Sequence, residues 1–98
     1  MDIRFEWDPA KAEANLRKHG VSFEEAAQAF FDPFALCEPD RIEGGEYRWR
    51  TLGMIDGILM LFVAHTVRDD DSGGEIVRII SARRADRKER RRYEQETG

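Results

Sequence analysis

YRWRTLGMIDGILMLFVAHT, residues 47–66, carries two β-rich runs on either side of Asp56-Gly57. Asp-Gly suits a two-residue type I′ turn, because both central positions of that turn need positive φ. The stretch therefore reads as a β-hairpin and puts an antiparallel sheet at the centre of the fold. With Ile55 facing Ile58, Arg48 lies opposite His65, Arg50 opposite Val63 and Leu52 opposite Leu61. Facing residues share a sheet face. One face then holds the arginines, and the other holds Tyr47, Trp49, Thr51, Ile58, Met60 and Phe62 for the core.

Working outward, residues 2–8 (DIRFEWD) alternate apolar and polar with the period of a half-buried strand. Asp8 can cap a helix, Pro9 suits its first turn and Gly20 its left-handed exit, which predicts a first helix over Pro9–His19. Ser22 and Glu25 form a capping-box pattern, and Phe23, Ala26, Ala27, Phe30 and Phe31 make a helical apolar stripe ended by Asp32-Pro33. Residues 34–37 are a short apolar piece, and EPDRIEGGE, residues 38–46, reads as a polar loop. An acidic, glycine-rich connection (VRDDDSGGE, residues 67–75) leads to a last strand over residues 75–82. Placing Arg68 opposite Glu75 sets His65 opposite Arg78 and Val63 opposite Ile80. Arg48, His65 and Arg78 then form a row across three strands. A terminal helix over residues 85–96 has only Ala85 and Tyr93 to pack, so it should be loosely held.

The 98 residues suit one domain, residues 1–98, with one core and little room for a deep pocket. The net charge is −4, yet residues 76–98 hold 8 Lys/Arg against 4 Asp/Glu while residues 1–75 hold 8 against 16. The basic end suggests a polyanion or an acidic partner, with a solvated, salt-bridged helix as the plainer reading. Cys37 stands alone and the two histidines are far apart, so neither a disulfide nor a standard zinc site is expected, and no cofactor motif occurs. No run of about 18 apolar residues is present, so a soluble, cytoplasmic protein without membrane contact is expected.

Two blocks carry a resemblance. FEWDPAKAEANLRKHGVSFEEAAQAFFDP (residues 5–33) and VRIISARRADRKERRRYE (residues 77–94), with Arg48 ahead of the hairpin turn, resemble the BrnT family of bacterial toxins. The first block contributes Trp7, Asp8, Lys11, Asn15, Lys18, His19, Gly20 and Phe23. The resemblance implies an α+β, RelE-like fold: two N-terminal helices on one face of a twisted, mainly antiparallel sheet, with a basic C-terminal helix. It also implies a ribonuclease, and a cognate BrnA-type antitoxin with a ribbon-helix-helix part that forms a hetero-oligomer with the toxin.

Metal-independent RNA cleavage uses the ribose 2′-OH as nucleophile, so the protein must move protons and stabilise a charged phosphorane. In the row, Arg48 and Arg78 would hold the phosphate bidentately, and His65, kept neutral between them, would act as base. Arg83 is the family-motif candidate for a further phosphate contact. Arg50, Lys18, His19, Arg84, Arg87 and Arg91 are the expected RNA-binding cations. Tyr93, His19 and Lys18 are candidate general acids. The rival reading is a non-catalytic binding module whose basic terminal helix docks an acidic protein or nucleic acid.

Overall fold

The structure is a computed structural model that describes residues 2–97. Asp56 and Gly57 both take positive φ, and the Ile58 N–H returns to the Ile55 carbonyl at 3.0 Å, so the turn forms where its dipeptide places it. The ladder resumes only at Ile55–Leu59, which leaves Ile58 as a third, exposed loop residue. That one extra residue moves every side chain of the returning strand to the face opposite the expected one. Trp49, not Arg48, lies opposite His65.

The elements run β1 (Ile3–Glu6), α1 (Pro9–His19), α2 (Phe23–Gln28), a single 3-10 turn (Ala29–Phe31), β2 (Leu36–Glu43), β3 (Glu46–Ile55), β4 (Leu59–Asp69), β5 (Glu75–Arg84) and α3 (Arg87–Thr97). They build one five-stranded sheet in the order β1-β5-β4-β3-β2, antiparallel except for β1 beside β5. The expected loop at residues 38–46 is mostly a strand. β2 is an edge, so its residues can stay polar, and Gly44 and Gly45 supply the positive φ of a second tight hairpin turn. Pro39 sits where the β2 ladder slips, which also blunts that edge.

β5 pairs with β4 one position away from the expected register. Thr66 faces Arg78, and Ile80 is an extra residue before the ladder resumes at Ala64–Ser81. The main core packs α1 and α2 onto the face carrying Leu61, Val63, Val77, Ile79 and Ala82, with Val21, Phe23, Ala26 and Ala29 from the helical side. Both helices start as their caps dictate: Asp8 accepts from the Ala10 N–H, and Ser22 and Glu25 close a full capping box. The stripe ends in the 3-10 turn, which turns Phe31 out to solvent. A Cβ on Gly53 would lie 2.2 Å from the Ala29 carbonyl oxygen, so only glycine lets that turn settle on β3.

Beyond its pairing with β1, β5 would present an open edge, and Asn15 closes it. Its buried side chain donates to the carbonyls of Ala82 (2.8 Å) and Val21 (3.0 Å) and accepts from the Ala82 N–H (3.1 Å). A helix side chain thereby stands in for a neighbouring strand.

α3 lies on the other face of the sheet, where Tyr93 is buried with Leu52 and Met60 and packs near Met54, Phe62 and Ala85. It is held by more than the two expected contacts. Asp86 and Glu89 close a capping box, Arg92 pairs with Glu38, and the Tyr93 hydroxyl donates to Asp32. Burial opposes the Asp32 carboxylate, but the Tyr93 hydroxyl and the amides of Met54 and Phe34 outweigh it and hold its pKa below the usual range. Burial, followed by the same carboxylate, pushes Tyr93 up to about 12. Tyr93 is thus a hydroxyl donor bound to Asp32, which disfavours it as a general acid.

Asn15→Leu should orphan three backbone groups and lower stability by about 2–4 kcal/mol, read from urea denaturation midpoints. A loss below about 0.5 kcal/mol would mean that water replaces the amide without penalty.

Candidate nucleic-acid interface

α3 covers only part of its sheet face. Next to it, Arg50 faces Ala64 and Ala64 faces Ser81. One row on, Thr66 faces Arg78, and Arg48 continues the β3 register beside Thr66. Ala64, Thr66 and Ser81 make a floor of small side chains, two of them hydroxyl-bearing. Arg48, Arg50, Arg78 and Arg83 stand around it. The expected row survives in altered form: both registers shift by one residue, so Arg48 and Arg78 stay aligned and Thr66 replaces the histidine between them.

Most of these arginines are oriented by a carboxylate. Arg48 meets Glu43 at 3.2 Å, and Arg50 meets Glu38 at 3.3 Å and Asp40 at 3.6 Å. Arg83 makes a two-pronged contact with Glu89 at 2.8 and 2.9 Å, while its guanidinium lies 4.2 Å over the Phe62 ring. The Glu89 contact raises the Arg83 pKa further. Arg78 is solvent-exposed. The Arg48 Nε is buried with no hydrogen-bond partner, although an unpaired buried donor is costly.

His65 is elsewhere. It is 1% exposed on the helix side of the sheet, with Nε2 2.8 Å from the Thr51 hydroxyl and its ring edge-on to Phe30 at 4.8 Å. Burial pushes its pKa down to about 4, against a weaker opposing effect from the Thr66 backbone. The ring is therefore neutral, but because of desolvation rather than neighbouring arginines. The parity error in the hairpin explains its misplacement in the row. Lys18 and His19 lie in the last turn of α1, on the helix-covered side. Arg84 pairs opposite Leu61 and is exposed, and Arg87 and Arg91 are exposed on α3. None of these five joins the four-arginine cluster.

Other groups meet there, among them Asp8 and Lys11 of the first family block, for which no site role was expected from the sequence. A cavity of about 210 Å³ at the Arg48–Thr66–Arg78 end is lined by Asp8, Lys11, Glu46, Arg48, Thr66, Arg78, Ile79 and Ile80. The block containing Lys18 and His19 thus reaches this face through Lys11 instead. A wider depression, about 530 Å³, lies by the β3–β4 turn, but Phe31, Pro33, Phe34 and Met54 line it with Asp32 and Asp56 and no cation, so it offers a phosphate nothing. Among the described residues, no three of His, Cys, Asp and Glu cluster to hold a metal ion, and no helix is long and apolar enough to cross a membrane.

A small α+β protein with an arginine-rimmed, partly open sheet face has the charge and shape to receive a polyanion. More specifically, the chain belongs to the BrnT family of ribonuclease toxins of type II toxin-antitoxin systems, whose model matches residues 7–89. The crystal structure of the Brucella abortus ribonuclease toxin BrnT is similar in fold, with a TM-score of 0.65 and 23% identity over 88% of this chain and 100% of that one. No curated protein matches the chain.

The buried histidine should make stability depend on pH. Its folded-state pKa of about 4 lies below the unfolded value, so the unfolded chain takes up the proton first. His65 therefore leaves stability intact above about pH 6.5 and removes up to about 3 kcal/mol as the pH falls towards 4. Denaturation of wild type and His65→Gln between pH 7 and 4.5 should show the wild type losing more, and parallel curves would refute the assignment.

Proposed function

We propose that this chain is an endoribonuclease that cleaves RNA without a metal ion, by attack of the ribose 2′-OH on the adjacent phosphate. The products are a 2′,3′-cyclic phosphate and a 5′-OH. The observation that carries the reading is the Arg48–Thr66–Arg78 row, with a buried guanidinium donor left unpartnered on the part of the sheet that α3 leaves uncovered. A guanidinium pair matches phosphate oxygens and stabilises the extra charge of a phosphorane, and the small floor lets a backbone approach. Arg83 and Arg50 extend the cationic rim along the groove towards α3, where flanking phosphates would lie.

Membership of a type II family supports an antitoxin partner. We take it to be a ribbon-helix-helix protein in a hetero-oligomer with this chain in the cytoplasm. It would be encoded beside the toxin and co-purify with it on co-expression.

The direct test incubates the purified, antitoxin-free chain with RNA in EDTA. Cyclic-phosphate ends are expected. Intact RNA together with tight binding would replace the enzyme by the non-catalytic binding module. Arg48→Ala and Arg78→Ala should each slow cleavage by about 100- to 1,000-fold while the circular dichroism spectrum is retained. Wild-type rates in both folded variants would remove the row from the reaction.

A further inference from the structure

The row supplies charge, but its arginines are poor proton carriers because they stay charged, and His65 is walled off on the other face. The cavity beside the row holds the missing chemistry. Of the two carboxylates lining it, Asp8 is committed to the Ala10 N–H at 2.9 Å as the cap of α1. The Glu46 side chain makes no hydrogen bond or salt bridge among the described residues and feels the charge of Arg68, whose own guanidinium is bonded to Glu6; the Lys11 side chain makes neither. Resting on the ribonuclease reading above, we propose that Glu46 and Lys11 are its proton-transfer pair and that the 210 Å³ cavity is the reaction centre, taking a scissile phosphodiester.

The fold holds the two from opposite sides. Glu46 is the first residue of β3, on the same face as Arg48 and two positions before it. Lys11 lies one helical turn before Asn15, on the same face of α1. Because Asn15 is fixed to Ala82, that turn lies alongside the Ile79–Ile80 part of β5, which also lines the cavity. β4, with Thr66, runs between β3 and β5. Two strand spacings, roughly 10 Å, separate β3 from β5, and α1 lies beyond β5, which leaves room for a phosphate on Arg48 and Arg78 between the two side chains. In-line displacement needs this arrangement, with a proton acceptor on one side of phosphorus and a donor on the other.

The step balances. The 2′-OH proton passes to the Glu46 carboxylate as the bond from the 2′-oxygen to phosphorus forms. The bond from phosphorus to the 5′-oxygen breaks, and a Lys11 Nζ proton passes to that oxygen. Exchange with water resets both groups. A carboxylate only accepts and an ammonium only donates, which fixes the direction of each transfer.

A substrate with sulfur in place of the bridging 5′-oxygen separates the roles, because a thiolate leaves without being protonated. On ordinary RNA, Lys11→Met and Glu46→Gln should each cut more slowly by about 100-fold or more. On the 5′-thio substrate, Lys11→Met should return to within about threefold of wild type while Glu46→Gln stays slow. An equal Lys11→Met defect on both substrates would make Lys11 a binding cation and overturn the proposal, as would near-wild-type rates for both variants on RNA. If wild type itself leaves both substrates intact, the ribonuclease reading fails first and the pair with it.

Discussion

The side chain of Asn15 determines what this molecule can present to solvent. By bonding to both the N–H and the carbonyl of Ala82, it makes α1 the neighbour of β5 after β1 has ended. An unpaired strand edge invites association with other chains, and a buried edge without partners would cost several kcal/mol. One amide removes both problems. It also sets the rotation of α1 about its axis, and with it the direction in which Lys11 lies. A helix that serves the core on one side thus delivers a cation to the cavity at the Arg48–Thr66–Arg78 end of the sheet.

The second constraint is parity. In a sheet with different chemistry on its two faces, a shift of one residue exchanges core for surface. Here the shift at the β3–β4 turn and the shift between β4 and β5 act in the same sense. Arg48 and Arg78 therefore stay on one face, and only the middle residue of the row changes from His65 to Thr66. The consequence is chemical as well as geometric, because a titratable ring gives way to a hydroxyl. α3 then closes part of the face and brings Glu89 to Arg83, with Asp32 anchoring Tyr93. The acidic residues of this net-negative chain include those that aim the arginines.

Much of this was legible in the sequence where a local rule applies. The bounds of α1 follow from Asp8, Pro9 and Gly20, the start of α2 from its capping box, and the turn from Asp56-Gly57, each a matter of backbone conformation within a few residues. The placement of Arg48, Arg50 and Arg78 on the sheet face away from α1 and α2 was legible too, whereas Arg83 came only with the resemblance. What escaped depends on non-local packing. Nothing near Ile58 announces a third loop residue, and β2 is too polar to resemble a strand because an edge need not bury its side chains. Gly44-Gly45 was the available signal for that hairpin. Lys11 and Glu46 are ordinary surface charges until α1 is seen beside β5.

The proposed reaction requires RNA to meet the sheet face that carries Arg48, Thr66 and Arg78. The most direct measurement is an amide chemical-shift titration of the antitoxin-free chain with a short RNA carrying 2′-O-methyl groups, which binds without being cleaved. The largest shifts should fall on Arg48, Ala64, Thr66, Arg78 and Ser81, with the amides around Lys11 and Glu46 next. Shifts centred instead on Lys18 and His19, or on Phe31, Phe34 and Ile58 at the other end of the molecule, would contradict it.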